Sequence, residues 1–350
     1  MKLRHLALFI CPDTFESLAL EDGADVEGED IISGTVRNAS RTRRYAIRAG
    51  VLDISQPAGS LDQQRTLESF GSEWSHFDRW GWFETPPSQR DDDLEYWGGL
   101  LSNTRSAFRG KAPFREGDLG PGKLVLDVGC GNGRFSFVAS ETGATIISLD
   151  ASDSAFVAAR NLGPSATVVR ANALRMPFKD GTFDAAFSIG VMQHTGDGPG
   201  FLREIARVVK DNHPFTVNCY GTGMRSYEFV DAALRRIVTR MPPAKQMTVA
   251  SKLASFDRFM TRGGPARKRA RQWLYGHMNL LPTTIHMLDW YSPALAEHYC
   301  PDQILDWLSG VATITNATPA FHVPGYDDRT RKKGHGAMQF RAVKAPGSSS

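Results

Sequence analysis

The middle of the chain alternates short apolar runs with stretches of helical periodicity. Runs that predict buried strands cover 124–127, 145–149, 167–170, 185–189 and 215–220. Apolar residues recur at helical spacing between these runs, as in the predicted helices 152–161 and 199–209. Strands that alternate with helices predict an α/β fold on a parallel sheet.

The two ends of the chain follow other patterns. Short strand candidates at 6–10, 17–20 and 45–47 lie between Gly, Asp and Asn residues, which predicts a separate small β-rich unit. A helix is predicted at 94–108. Near the other end, the runs 311–314, 320–323 and 337–343 predict the terminal strands of the sheet.

Composition restricts the class of protein. Of 350 residues, 41% are hydrophobic and 23% are charged, which is typical of a soluble globular protein. The formal net charge of +3 gives no strong signal for nucleic acid. The four cysteines are scattered and show no disulfide framework, which favours a reducing compartment. The apolar start is too short for a signal peptide and no run is long enough to span a membrane, so we expect a cytoplasmic protein with no membrane partner.

A glycine-rich loop follows the first of the central strands. The strand ends at Asp127, and glycines follow at 129, 131 and 133 before helical spacing begins. Glycine lets a backbone turn sharply and approach a ligand closely, and the helix start that follows favours a carboxylate or a phosphate. Asp150 ends the next strand, where an acid can accept hydrogen bonds from both hydroxyls of a ribose.

This arrangement resembles the class I S-adenosylmethionine-dependent methyltransferases. The spacing D-x-G-x-G-x-G differs by one residue from the NAD fingerprint. The resemblance implies a Rossmann-like, seven-stranded methyltransferase sheet. It also implies that Gly129, Gly131 and Gly133, shaped together with Asp127, hold the methionine part of the cofactor, while Asp150 holds the ribose.

The next segment extends the resemblance. The run 174–184 is similar to the family's Leu-Pro-Phe-x-Asp-Gly-x-Phe-Asp sequence before the fourth strand. In the family an acidic or amide residue after the third strand meets the adenine amino group. Asn172 stands there and can present its carbonyl oxygen. Ala173 beside it and Ser188 in the fourth strand complete the expected cofactor contacts.

The end of the fourth strand is where methyl donor and acceptor are expected to meet. Many relatives carry two histidines there, whereas this chain has Gln193 and His194. His194 is a candidate general base, because an imidazole near its free pKa can take a proton from a hydroxyl or amine. It could instead cap the next helix or pack beside the cofactor, and an amine or thiolate acceptor needs no base.

Residues 1–58 are similar to a zinc ribbon, the small activator subunit of certain tRNA and release-factor methyltransferases. Its Cys pairs fall at Cys11 and Thr14 and at Asn38 and Arg41 of this chain. Structural zinc needs four Cys or His ligands. We therefore expect a degenerate, metal-free ribbon that packs on an apolar flank of the catalytic domain.

Two further regions are candidates for substrate contacts. The segment 68–74 resembles the Glu-Ser-Phe-Gly-x-x-Trp sequence of ribbon-fused methyltransferases and begins an aromatic-rich stretch. That stretch could cap a cationic sulfonium or simply pack as core. Residues 221–300 predict a helical lid, in which Tyr291 and His298 could face the acceptor or anchor the lid. The basic run 258–271 could contact an anionic acceptor or form a solvated helix face.

The sequence therefore predicts a methyltransferase that moves a methyl group to oxygen or nitrogen of a small molecule or glycan intermediate. A tRNA or protein methyltransferase and a non-catalytic cofactor-binding subunit stay open as alternatives. The predicted organisation is a ribbon-like domain at 1–58, a connecting cap at 59–118, a cofactor-binding core at 119–220, a helical lid at 221–300, the end of the sheet at 301–344 and a tail at 345–350.

Overall fold

The computed structural model describes residues 1–85, 98–164, 166–221, 228–275, 283–318 and 337–347, but not the side chains of 228–231, 272, 273 and 275. Its strands are β1 (Leu18–Leu20), β2 (Asp25–Glu27), β3 (Asp30–Asn38), β4 (Arg44–Arg48), β5 (Val51–Asp53), β6 (Leu124–Val128), β7 (Thr145–Asp150), β8 (Thr167–Arg170), β9 (Ala185–Ile189), β10 (Pro214–Cys219), β11 (Ala312–Thr318) and β12 (Met338–Lys344). Its α-helices are α1 (Leu61–His76), α2 (Leu101–Lys111), α3 (Arg134–Ser140), α4 (Ser154–Leu162), α5 (Gly198–Val208), α6 (Glu228–Val238), α7 (Pro243–Thr261), α8 (Pro265–Tyr275), α9 (Thr284–Tyr291) and α10 (Pro301–Leu308).

One mixed sheet organises the described residues, which confirms the predicted α/β class. The strand order is β1-β3-β4-β5-β8-β7-β6-β9-β10-β12-β11, with β2 paired to β3. The five central strands β8, β7, β6, β9 and β10 are parallel. They are predominantly buried because helices cover a parallel sheet on both faces, which explains why they are continuous apolar runs in the sequence. β12 closes this part of the sheet, antiparallel to both β10 and β11.

The N-terminal unit is part of the same sheet, so the expectation of a separate unit is wrong. β5 pairs in parallel with β8, from Val51 opposite Val168 to Asp53 opposite Arg170. Phe9 packs on Phe178 with ring centroids 5.2 Å apart, and both side chains are fully buried. The unit therefore extends the sheet beyond β8 and packs Phe9 against the core of the central part.

The predicted strand at 6–10 is also wrong. A 3-10 helix occupies Leu3–Leu8, and only Phe9 and Ile10 form isolated bridges, to Phe178 and Ser17. Leu6 is the buried residue of that helix. A continuous apolar run of five residues could not distinguish one short helical turn from a strand.

Hydrogen bonds occupy the positions where the ribbon family carries zinc ligands. The Cys11 thiol lies 3.1 Å from the Tyr45 hydroxyl. The Asn38 side-chain amide donates to the Thr14 hydroxyl at 3.1 Å and to the Glu16 carboxylate at 2.5 Å. Within the described part of the chain, no group of three or more His, Cys, Asp and Glu side chains could hold a metal ion. The relationship of residues 1–58 to the zinc ribbon stays a prediction.

Helices in front of the core and after β10 frame one end of the sheet. α1 begins at the N-cap Ser60, whose hydroxyl accepts from the Gln63 amide at 3.1 Å. The predicted helix at 94–108 corresponds to α2 and begins later, while 94–97 lie outside the described residues. Helices α6 to α9 form the insertion, and α9 packs on α1, α6 and α7. The predicted strand 320–323 falls outside the described residues. None of the described helices has the length and apolarity needed to cross a membrane.

Candidate functional site

The glycine loop joins β6 to α3 with a backbone that only glycine adopts easily. Gly129, Gly131 and Gly133 have φ angles of +82°, +55° and +85°. A Cβ atom on Gly129 would lie 2.1 Å from a methyl group of Val191, and one on Gly131 would lie 3.0 Å from Trp74 Nε1. The loop therefore needs glycine both for its backbone angles and for the close approach of its neighbours.

Asp150 ties the loop to the neighbouring strand. Its Oδ2 accepts from the Gly131 amide at 2.9 Å, and its Oδ1 accepts from the amide and the hydroxyl of Ser152 at 2.9 and 2.8 Å. β6 and β7 are adjacent parallel strands, so the loop and Asp150 meet at the same edge of the sheet. The structure thus brings together the two predicted halves of the cofactor site.

Asp127 lies beneath the loop. It is 2% exposed, and its carboxylate accepts from the Ser136 hydroxyl at 2.6 Å. Burial raises the pKa of Asp127 to about 7, although the bond from Ser136 opposes the shift. Asp127 therefore joins β6 to α3 from inside, in keeping with the predicted role of shaping the loop.

Asn172, the predicted adenine contact, already forms a hydrogen bond within its own turn. Asn172 Oδ1 accepts from the Leu174 amide at 2.9 Å, so one lone pair of that oxygen is occupied. Ala173 is buried beside it. The Ser188 hydroxyl donates to the Val128 carbonyl at 2.9 Å and so links β9 to β6. The cofactor contacts of these three residues stay predictions.

His194 lies in a 3-10 helix, Met192–His194, directly after β9. Its ring contacts the rings of Phe70 and Tyr220 at centroid distances of 4.9 and 5.5 Å. Its Nδ1 lies 2.6 Å from the Leu295 carbonyl, so Nδ1 carries the proton and Nε2 is left as an acceptor. Nε2 is buried without a hydrogen-bond partner among the described residues.

The assumption that His194 titrates near its free pKa is wrong. Burial lowers the pKa of His194 to about 3, because a charged imidazolium would lose its hydration in this place. The imidazole is therefore neutral and weakly basic. Its Nε2 can accept a hydrogen bond, but the ring is too weak a base to take up a proton readily.

This pKa predicts a loss of stability in acid. Below about pH 6.5 the unfolded chain binds a proton at His194 that the folded chain refuses, so the free energy of unfolding falls as the pH decreases. Between pH 6.5 and 4.5 the wild type should lose about 2–3 kcal/mol more than His194→Gln, at roughly 1.4 kcal/mol per pKa unit. Urea unfolding at both pH values measures this difference, with His76→Gln on the exposed end of α1 as the control. Equal losses in wild type and His194→Gln would contradict the neutral, buried imidazole.

The other predicted substrate contacts are Gln193, His298 and Tyr291, and they lie in two different environments. Gln193 is fully buried close to the Tyr220 hydroxyl, and neither polar atom of its amide has a good hydrogen bond within the described residues. His298 lies against the Tyr220 ring with centroids 5.5 Å apart. Tyr291 is 1% exposed within the apolar cluster of the insertion. Gln193 and His298 therefore join the wall around Tyr220, whereas Tyr291 is a core residue of the insertion.

Sequence reasoning missed a cluster of buried charges beside this wall. Glu73 on α1 is 1% exposed, and Asp289 on α9 lies close to it. The Arg134 guanidinium, at the start of α3, lies over the rings of Trp74 and Trp80 at 4.7 and 4.6 Å. A protein cation thus occupies aromatic faces that could have attracted a sulfonium.

Comparisons with known proteins agree with this geometry. Residues 126–215 match the family model described as a methyltransferase domain. Demethylmenaquinone methyltransferase of Corynebacterium kroppenstedtii is 36% identical over 112 residues, covering 32% of this chain and 48% of that protein. The tRNA (carboxymethyluridine(34)-5-O)-methyltransferase of Saccharomyces cerevisiae is 41% identical over 73 residues, 21% of this chain and 25% of that one. Tocopherol O-methyltransferase of Arabidopsis thaliana is 28% identical over 177 residues, 49% of each chain.

The matched region coincides with the site. It begins within β6, includes the glycine loop and Asp150, and ends within β10. The chain spans about half the length, or less, of these relatives. Residues 126–215 thus match a methyltransferase domain, and the glycine loop and the acid after the second parallel strand lie within the matched residues.

Proposed function

We propose that the protein transfers the methyl group of S-adenosylmethionine to an oxygen or nitrogen atom of a small molecule or glycan intermediate. The observation that carries this proposal is the wall after β9 and β10. There His194 Nε2 and the Gln193 amide, which have no good hydrogen bond among the described residues, lie between aromatic rings beside the glycine loop. Buried polar atoms without partners are costly, and a ligand with polar groups would satisfy them.

The cofactor side of the site fits S-adenosylmethionine. A Cβ atom would clash with Val191 at Gly129 and crowd Trp74 at Gly131, so glycine lets the loop adopt its tight turn against these neighbours. Gly129, Gly131 and Gly133 would hold the methionine part and Asp150 the ribose. When bound, the cofactor supplies an activated methyl group on a sulfonium.

On the acceptor side, holding the nucleophile in position matters more than general acid–base catalysis. Methyl transfer depends on a nucleophile held in line with the methyl carbon and the sulfur. His194 Nε2 and the Gln193 amide can orient a hydroxyl or an amine by hydrogen bonds, while the rings of Phe70 and Tyr220 exclude water. The low pKa of His194 disfavours full proton transfer to it.

The relatives leave more than one acceptor class open. Two are named for demethylmenaquinone and tocopherol, and one is named for a tRNA uridine. The enclosed polar and aromatic wall and the net charge of +3 favour a small acceptor over a tRNA or protein. A non-catalytic cofactor-binding subunit is disfavoured by the intact glycine loop.

Transfer of a tritiated methyl group tests the proposal. The protein and labelled S-adenosylmethionine are incubated with metabolite, RNA and protein fractions of cell extract. Label in the metabolite fraction that survives nuclease and protease is the expected result. Label lost with nuclease or protease would assign a macromolecular acceptor. No label in any fraction, together with no binding of the cofactor, would contradict an enzymatic role.

With the labelled fraction as substrate, His194→Ala should lower turnover by about tenfold, because one orienting hydrogen bond is lost. The pH dependence of the remaining turnover should keep the wild-type shape, because a neutral imidazole contributes no titration near pH 6.5. Turnover at the wild-type level would remove His194 from the site. A pH limb that disappears in the variant would restore it as the base.

A further inference from the structure

Two buried side chains, one with a carboxyl group and one with a guanidinium group, flank the glycine loop with polar atoms that have no partner among the described residues. Glu73 is 1% exposed, and neither of its carboxylate oxygens has a hydrogen-bond partner in the described parts of the chain. Arg134 Nη1 is likewise buried and unpartnered there. Buried polar atoms without hydrogen bonds are costly, so a carboxyl group and a guanidinium group left in this state side by side indicate a ligand.

Their positions connect both side chains to the loop. Arg134 is the first residue of α3, directly after Gly133. Glu73 precedes Trp74, whose Nε1 lies where a Cβ of Gly131 would be crowded at 3.0 Å. The Arg134 guanidinium is held between Trp74 and Trp80, which fixes its position without using its Nη1 proton.

A ligand that satisfies both groups must present a cation to Glu73 and an anion to Arg134 within a short distance. An α-amino acid end carries one ammonium and one carboxylate. On the proposed function, on which this inference rests, the methionine end of the cofactor approaches this loop. We propose that Glu73 binds the α-ammonium group and Arg134 the α-carboxylate of S-adenosylmethionine.

Binding should then be linked to protons. The pKa of Glu73 is raised well above its usual value, by burial first and then by Asp289, while Arg134 opposes the shift. An ammonium at Glu73 would favour the carboxylate, so binding releases a proton and strengthens as the pH rises. The charged and titratable groups that face Glu73, directly or through Asp289 and Arg134, are Arg134, Asp289, Tyr220, Asp127, Lys111 and Arg235.

Calorimetric titration with two ligands tests the assignment. S-adenosylhomocysteine has the amino acid end, and 5′-methylthioadenosine lacks it. The wild type should prefer S-adenosylhomocysteine by at least about tenfold. Glu73→Gln, which keeps the shape and removes the charge, should weaken S-adenosylhomocysteine by about 10- to 100-fold and leave 5′-methylthioadenosine within about twofold. Arg134→Met should likewise weaken the binding of S-adenosylhomocysteine more than that of 5′-methylthioadenosine.

Glu68→Gln is the matched control, because Glu68 lies on the exposed face of the same helix and should leave both affinities unchanged. Titration of the wild type at several pH values, in buffers of different ionisation enthalpy, should show proton release that Glu73→Gln reduces. This wild-type measurement does not depend on the stability of any variant.

Several results would overturn the assignment while leaving the proposed function intact. These are equal affinity of the wild type for both ligands, unchanged S-adenosylhomocysteine affinity in Glu73→Gln, or a matching loss of affinity for both ligands in that variant. A wild type that binds neither ligand would contradict the proposed function and the assignment together.

Discussion

Replacing Asp150 by alanine is expected to raise the dissociation constant for S-adenosylhomocysteine by at least about 100-fold. Two hydrogen bonds from ribose hydroxyls to a carboxylate contribute roughly 1.5–3 kcal/mol each, and both are lost. The same substitution frees the Gly131 amide, which donates to Asp150 Oδ2 at 2.9 Å. The loop would then lose its anchor to β7 as well as its ribose ligand.

Asp153→Ala provides a matched control, because this neighbouring carboxylate is 67% exposed and pairs with Arg170 at 3.2 Å. It should leave the affinity unchanged. Thermal unfolding should show Asp150→Ala folded, since the carboxylate sits at the end of a strand whose core residues stay buried. An unchanged dissociation constant in Asp150→Ala would mean that the ribose lies elsewhere.

The substitution Gly129→Ala should destabilise the fold by about 3 kcal/mol and abolish cofactor binding. The added Cβ would lie 2.1 Å from Val191 Cγ2, and the residue would keep a φ of +82°. Overpacking costs about 1–3 kcal/mol, and a left-handed backbone costs a residue with a Cβ roughly 1–2 kcal/mol. The midpoint of thermal unfolding should fall by about 4 °C.

Two further variants separate the cost of the left-handed backbone from the cost of the clash with Val191. Gly117→Ala places a Cβ at a φ of +83° with no atom within 4 Å, so it should show the backbone cost alone. In Gly129→Ala combined with Val191→Ala, part of the lost stability should return, because the clashing methyl groups are gone. If Gly129→Ala unfolds no earlier than Gly117→Ala, the close approach to Val191 is not what constrains the loop.

Local patterns predicted the central sheet well. β6 to β10 were recognised as apolar runs because strands buried on both faces leave a continuous signal. The pairing of β5 with β8 could not be predicted. It joins residues more than a hundred positions apart, and no local pattern encodes which edge of a sheet accepts another strand. The short helix at Leu3–Leu8 was missed because three or four apolar residues fit either structure.

The candidate site also has one part that the sequence predicts and one part that it does not. The glycine loop and Asp150 could be predicted because their chemistry is written at fixed spacing within one strand–loop–helix unit. The buried charges of Glu73, Arg134 and Asp289 could not, since they come from three elements brought together only by packing. The low pKa of His194 was hidden for the same reason, because burial by Phe70 and Tyr220 is a tertiary property.

A crystal structure with S-adenosylhomocysteine tests the central claim most directly. We expect one ligand between the loop of Gly129, Gly131 and Gly133 and the end of β7, with both ribose hydroxyls on the Asp150 carboxylate. Density for the ligand at any other place, or a dinucleotide in that position, would contradict it.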